Sequence, residues 1–344
     1  MIRKNKDMSK RVVTLGEIMM RLSTPGFERF VQSESFDVHY GGGEANVAIA
    51  LTNYGLQGVF VTKVPDNALG QSAINHLRRY GVDTRHIARG GKRLGIYFLE
   101  KGASMRASQV IYDRASSSMS EADLSDFDFD KVFEGADWFH ISGITPALSD
   151  KSVALAEAAL KAAKSKGIKI SIDINFRSKL WSKEDAGKVM NNLCHYADVC
   201  IGPDASLGFT GEHADILSGH FDEARYRQVF DKLHKEFGSK YIASTIRHSH
   251  SASDNTLSAF VYDGVNFHHT KKYEVRIVDR VGSGDAFASG FIYGLLTGMT
   301  TIDSAEFGIA AAALKHTIPG DTNHATLDEV RALINGDSSG LLKR

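Results

Sequence analysis

The segment Asp279-Arg280-Val281-Gly282-Ser283-Gly284-Asp285-Ala286-Phe287 sets two glycines and a carboxylate at the head of a run of small residues with helical character. Glycine lets backbone N–H groups approach a ligand without a Cβ in the way. A helix that starts there aims unpaired N–H groups and a partial positive charge at the same point. Gly282, Ser283 and Gly284 thus form a cradle suited to an anion such as a phosphoryl group in transfer. Asp285, at the edge of the cradle, is placed to take the proton of an attacking hydroxyl. A bare Gly-x-Gly-Asp equally fits a capped helix start with glycines for tight packing, so its meaning depends on the rest of the chain.

Two further constellations carry polar chemistry. Gly41-Gly42-Gly43-Glu44-Ala45-Asn46 leads directly into a helix, and Asn46 on its first turn offers both a donor and an acceptor, which suits sugar hydroxyls. Asp173-Ile174-Asn175-Phe176-Arg177 ends a strongly apolar strand, where polar residues of a parallel sheet point toward a cleft. Arg177 can hold a carboxylate through a two-pronged hydrogen bond, and Arg114, just after Tyr112, can do so from the other side. The plain alternatives are a packed Asn at a helix start and solvated surface arginines. His248, His250, His268 and His269 lack Cys or acidic partners at a zinc-like spacing. No G-x-x-x-x-G-K-[ST] and no G-x-S-x-G occurs, which removes the P-loop route to nucleotides and the nucleophile-elbow hydrolases.

The elements that must position these residues alternate. Strands are expected at 11–16, 58–64, 138–142, 168–174, 198–201 and 241–246, and helices at 44–54, 68–80, 151–165, 183–195, 222–237, 285–296 and 304–315. This rhythm predicts an α/β fold, a mostly parallel sheet covered by helices on both faces. The β segments around 18–40 and 92–114 break it and read as a small separate sheet that serves as a lid. The stretch 257–278 is β-rich. One domain over 11–335 results, with tails at 1–10 and 336–344.

The 344 residues, 42% of them apolar, suffice for a large core. Lys plus Arg equals Asp plus Glu at 41 each, which gives no general reason to expect nucleic acid or an anionic membrane as partner. The two cysteines, Cys194 and Cys200, fall in segments that read as buried, so a reducing cytoplasm fits better than a disulfide framework. The basic N-terminus is followed by an apolar stretch too short to span a bilayer.

With both glycine clusters in this order, the chain resembles the ribokinase-like (PfkB) carbohydrate kinases from about Val12 to Val330, and among them the 2-keto-3-deoxygluconate kinases. Gly41 to Ala48 is similar to the first family signature and Asp279 to Phe291 to the second. Tyr112-Asp113-Arg114, His140-Ile141-Ser142-Gly143-Ile144-Thr145-Pro146 and Asp173 to Trp181 carry the closer likeness. The resemblance implies a three-layer α/β/α core and transfer of the ATP γ-phosphoryl to a primary hydroxyl of a keto sugar acid, with Mg²⁺ as a cofactor and a monovalent cation as a possible further one. It puts Gly42, Gly43, Asn46 and Ile144 on the sugar, Tyr97, Tyr112, Arg114 and Arg177 on the keto-acid end, and Asp285 in the role of base. The amides of Gly282, Ser283 and Gly284 would steady the phosphoryl group. Arg247 and Ser249 would meet the nucleotide phosphates, and Gly320 and Asn323 the adenine.

Departures are Arg280 where most relatives have a small residue, Gly202-Pro203-Asp204-Ala205-Ser206 in an element that organises magnesium in relatives, and Arg247 near a usual glycine. The rivals are a same-fold kinase of a neutral sugar or nucleoside, and a non-catalytic sugar-binding regulator. An exposed lid sheet would also suit pairing with a second copy.

Overall fold

A computed structural model describes residues 9–203 and 223–337. The strands are β1 (Arg11–Leu15), β2 (Met19–Ser23), β3 (Asp37–Gly41), β4 (Gln57–Val64), β5 (Ile87–Arg89), β6 (Gly95–Glu100) and β7 (Gln109–Asp113). They continue with β8 (Trp138–Ser142), β9 (Lys169–Asp173), β10 (Val199–Ile201), β11 (Tyr241–Ser249), β12 (Asp254–Tyr262), β13 (Phe267–His269) and β14 (Tyr273–Arg276). The helices are α1 (Gly43–Asn53), α2 (Ala68–Arg79), α3 (Phe129–Val132), α4 (Asp150–Ser165), α5 (Lys183–Cys194), α6 (Glu223–Phe237), α7 (Ser283–Leu296), α8 (Thr301–Lys315) and α9 (Leu327–Ile334).

The large sheet runs β13-β12-β11-β10-β9-β8-β1-β4-β5, with β14 also paired to β12. From β5 to β11 every pair is parallel, and the antiparallel β12 and its partners close one edge. The inner strands are buried on both faces, and polar side chains such as Thr14, His140 and Ser171 are buried along with the apolar ones. On β1 the pleat sends Val13 and Leu15 into a core completed by α4, α5 and α6, while Val12 enters a second core under α1, α7, α8 and α9. Helix starts follow the expected chemistry: side chains of Asn67, Ser149, Ser182, Thr300 and Thr326 cap α2, α4, α5, α8 and α9.

Element ends shift by a few residues from the sequence reading, and two differences have a plain local cause. Helix α7 begins at Ser283, two residues early, because Gly282 in the left-handed region (φ 81°) is itself the cap. Helix α9 lies in a stretch left unassigned, although Thr326 and Glu329 form a reciprocal capping box that announces it. Cys194 and Cys200 are buried free thiols. Asp204, Ala205 and Ser206 lie outside the described residues. Among the described residues no helix is long and apolar enough to cross a membrane.

The second sheet, β3-β2-β6-β7, is mixed: β2 and β6 are parallel and the outer pairs antiparallel. Only Gly16, Glu17 and Ile18 separate β1 from β2, so the small sheet grows directly out of the large one. A fully buried arginine pins it there. Arg21 on β2 donates from Nη2 to Asp279 at 2.5 Å, from Nη1 to Asp321 at 2.7 Å and from Nε to Ser23 at 2.6 Å. Burial works against its charge, but Asp321, Tyr97 and Asp279 outweigh that and raise its pKa above the ordinary arginine value. Tyr97 on β6 donates its hydroxyl to Asp321 as well.

Removing one member of such a cluster strands two buried carboxylates. Arg21→Met is therefore expected to lower stability by about 3–5 kcal/mol. Chemical denaturation measures this directly, and an unchanged midpoint would show that the cluster adds nothing net.

Candidate active site

Parallel strands of an open α/β sheet gather functional residues beyond their carboxyl ends. Here β1 delivers Glu17, β8 delivers Ile144, β9 delivers Asp173 to Arg177, and β10 delivers Gly202 to one cleft of about 460 Å³. The small sheet supplies its other wall through Met19, Tyr97, Val110 and Tyr112.

Two helix N-termini converge on this cleft. In α7 the first amide bonded back along the helix is that of Ala286, to the Gly282 carbonyl at 2.9 Å. The amides of Ser283, Gly284 and Asp285 precede it and have no helical partner. In α1 the Asn46 amide is the first, bonded to Gly42 at 2.8 Å, which leaves those of Gly43, Glu44 and Ala45. A Cβ on Gly43 would stand 3.6 Å from Asp285 Oδ1, so the two helix ends face each other across this carboxylate. The combined positive ends favour an anion between them. The left-handed turn at Gly282 brings the cradle about: a Cβ there would lie 1.8 Å from the Asp321 carbonyl.

Asn46 Nδ2 donates to Asp285 Oδ2 at 2.7 Å. Asn46, expected on sugar hydroxyls, thus uses its amide to orient the carboxylate, leaving Oδ1 with only a 3.5 Å contact from the Gly42 amide. Burial pushes the Asp285 pKa up to about 6, while the Asn46 hydrogen bond and the Arg177 charge hold it down. Asp173 rises further, to about 7, through burial and the nearby Asp285, with Arg177 again opposing. Glu44 is also raised by burial; its Oε1 accepts from the Ser142 amide, the Ser142 hydroxyl and the Thr145 hydroxyl at 2.7–2.8 Å. These bonds lock the start of α1 to the end of β8.

The arginines are arranged differently from the sequence reading. Arg114 is buried and its Nε and Nη2 both donate to Glu17, so two of its three nitrogens are satisfied within the protein and only Nη1 is left for a ligand. Its partner lies 97 residues away in sequence, which is why the pairing was not foreseen. An acidic residue just beyond a buried parallel strand was the available signal for Glu17. Arg177 projects into the cleft and pairs with no carboxylate among the described residues. The chain reaches it through Asn175, held at φ 39°, a left-handed conformation that Asn tolerates better than most residues. Arg247 donates to Ser283 Oγ at 3.1 Å and Arg280 to the Ala252 carbonyl at 3.3 Å. Arg247 remains in contact with water in the cleft, yet the protein mass around it and the Arg280 and Arg177 charges lower its pKa.

Gly42, Gly43, Asn46, Tyr97, Tyr112, Arg114, Ile144, Arg177, Arg247, Gly282, Ser283, Gly284 and Asp285 all line the cleft. Tyr97 does so with its hydroxyl already bonded to Asp321. Ser249, Gly320 and Asn323 do not line it. Ser249 is exposed at the end of β11, opposite Asn255. Gly320 makes a left-handed turn whose amide bonds to Asp279 at 3.1 Å. Asn323 is buried, and its side chain is engaged by the Tyr54 hydroxyl and the Ala325 amide. Glu17 and Asp321 are cleft residues that the sequence reading did not single out, while Asp173, read as one of the polar residues pointing toward a cleft, lines it without having been given a role of its own.

If Asp285 must be ionised to act, turnover has a defined acid limb. kcat/KM is expected to fall roughly tenfold per pH unit below about 6. A profile flat down to pH 5 would show that another group carries the proton.

The chain matches the model of the pfkB family carbohydrate kinases over residues 9–327. It is 31% identical over 338 residues to a 2-dehydro-3-deoxygalactonokinase of Haloferax volcanii, covering 97% of this chain and 99% of that one. It is 30% identical to a 5-dehydro-2-deoxygluconokinase of Clostridium perfringens, covering 82% and 80%. The crystal structure of 2-dehydro-3-deoxygluconokinase from Thermotoga maritima superposes with a TM-score of 0.91 at 46% identity, covering 95% of this chain and 99% of that one. With both glycine clusters, the ribokinase-like sheet and these relatives in agreement, the chain belongs to the PfkB family and is a carbohydrate kinase.

Proposed function

We propose that this kinase transfers the γ-phosphoryl group of ATP to the primary hydroxyl of 2-keto-3-deoxygluconate or its galacto epimer. The observation that carries this reading is Arg177, which opens into the same cleft as Asp285 with no carboxylate partner among the described residues. A neutral sugar gives such a guanidinium nothing to pair with, whereas a sugar acid brings one carboxylate. The Arg114 Nη1 adds a second donor. The names of the relatives, all kinases of dehydro-deoxy sugar acids, support the same substrate class.

Asp285 takes the hydroxyl proton as the oxygen attacks, held in place by Asn46. The amides of Ser283 and Gly284 and the two helix ends meet the charge on the moving phosphoryl group. Arg247 and Arg280 flank that point with further positive charge. Among the described residues no three metal-ligating side chains cluster. A Mg²⁺ ion carried on a triphosphate needs only one or two carboxylates, and Asp173, which accepts from the backbone of Asn175 and from its side chain at 3.5 Å, fits that part. When bound, the ion would neutralise phosphate charge.

Coupled ADP-release assays with both keto acids, gluconate, fructose and ribose test the reading. Turnover confined to the keto acids is expected. Turnover on the neutral sugars would deny Arg177 a carboxylate to hold and leave it a structural role. Asp285→Asn is expected to cut kcat by roughly 10²–10⁴. Arg177→Ala is expected to raise KM for the keto acid by roughly 10–100-fold while leaving KM for ATP near its original value. An equal rise in both constants would deny Arg177 a specific substrate contact.

A further inference from the structure

Lys315 is the last residue of α8, and no part of it reaches solvent. Its Nζ donates to the Ile318 carbonyl at 3.0 Å and the Asp279 carbonyl at 3.4 Å. The adjoining His316 carbonyl accepts from the amides of Val278 at 2.8 Å and Asp279 at 3.1 Å. The carboxyl end of α8 is thus stitched to the segment that turns through Asp279 and Gly282 into α7. A buried lysine is costly to retain, and an apolar side chain would fill this space without that cost. Its position behind the turn gives the charge a use. We propose that the Lys315 ammonium is a built-in counter-cation of the phosphoryl cradle, a positioning residue that holds the Asp279–Gly282 turn in its anion-binding shape. The inference rests on the assignment of Gly282, Ser283 and Gly284 to the phosphoryl group.

The charges around Lys315 make the consequence definite. Asp279 and Asp321 face it together with Arg21, and Asp285 lies beyond them on α7. His316, beside it on the chain, is kept neutral by burial, which lowers its pKa to about 4. His324 is likewise lowered, by burial and by Lys315 itself. Two cations therefore balance the two carboxylates of the cluster. Loss of the Lys315 proton leaves one net negative charge directly behind amides that must hold an anion. Burial pulls the Lys315 pKa down to about 8, with Asp279 and Asp321 opposing the fall. Turnover should then decline as pH rises through about 8. Stability should move the other way on account of this group. The unfolded chain keeps the lysine proton to about pH 10.4, so between these values it binds more protons than the folded chain and rising pH favours folding.

The test compares the full-length enzyme with Lys315→Met and Lys315→Ala, using its best sugar substrate and ATP. Lys315→Met is expected to lower kcat at least ~10-fold with the sugar KM within about twofold. In Lys315→Ala, ammonium or methylammonium is expected to restore kcat saturably, whereas tetramethylammonium, which has no N–H to offer the two carbonyls, is not. A Lys315→Met enzyme with kcat within about twofold of the parent overturns the inference, as does indifference of Lys315→Ala to the small amines. Should neither variant fold, the parent protein decides: kcat declining above about pH 8 without a falling Tm supports the inference, and kcat flat to about pH 9.5 overturns it. Asp285→Asn run in parallel separates the two levels. Turnover preserved there sinks the reading of this cleft as the catalytic centre, on which the inference rests, whereas turnover lost there but kept in Lys315→Met sinks only the role of Lys315.

Discussion

Much of this structure hangs on one guanidinium taken out of water. Arg21 sits between Asp279 and Asp321 with no exposed surface, and desolvation makes any other partner arrangement expensive. Each of its carboxylates belongs to a different functional part. Asp279 also accepts the Val281 and Gly320 amides and so shapes the approach to the cradle. Asp321 takes the Tyr97 hydroxyl and presses its own carbonyl against Gly282. The small sheet, the Gly282 turn and the loop after α8 are therefore fixed by the same few contacts, and the cleft is the space that they leave open.

Within that space, opposite charges are kept close without being allowed to cancel. Asp285 and Asp173 are both pushed toward neutrality by burial, while the Arg177 charge favours the ionised form of each and the Asn46 hydrogen bond adds to it at Asp285. A carboxylate tuned to the neighbourhood of neutral pH can both accept a proton and give it up. The Glu17–Arg114 pair does the opposite: it cancels one charge in the wall and leaves Arg177 as the cation more open to a ligand.

The fold was largely legible because its signals are local. Buried parallel strands announce themselves as short apolar runs, and helix starts as capping side chains. The two glycine clusters were legible for the same reason, since each is contiguous and adjoins a helix. What escaped were relations across the chain. Arg21 meets its carboxylates 258 and 300 residues later, and nothing near it in sequence marks an arginine on an apolar strand as a buried hub. Arg114 read as a free cation because Glu17 is distant. Asn323 was put on the adenine by the resemblance alone, and nothing near it in sequence announces its hydrogen bond to Tyr54. Helix α9 is a different case, for its capping box lies within four residues of the chain.

Asp321 also touches the first glycine cluster. A Cβ on Gly41 would fall 2.0 Å from its carboxylate, just as one on Gly282 would fall 1.8 Å from its carbonyl. One aspartate therefore sets the spacing of both glycine signatures, although about 240 residues part them. Substitutions at the three positions are bound to be epistatic, since each is in contact with the side chain or backbone of the same partner. The two signatures would then be inherited as a single unit, held together by the dimensions of a residue that belongs to neither.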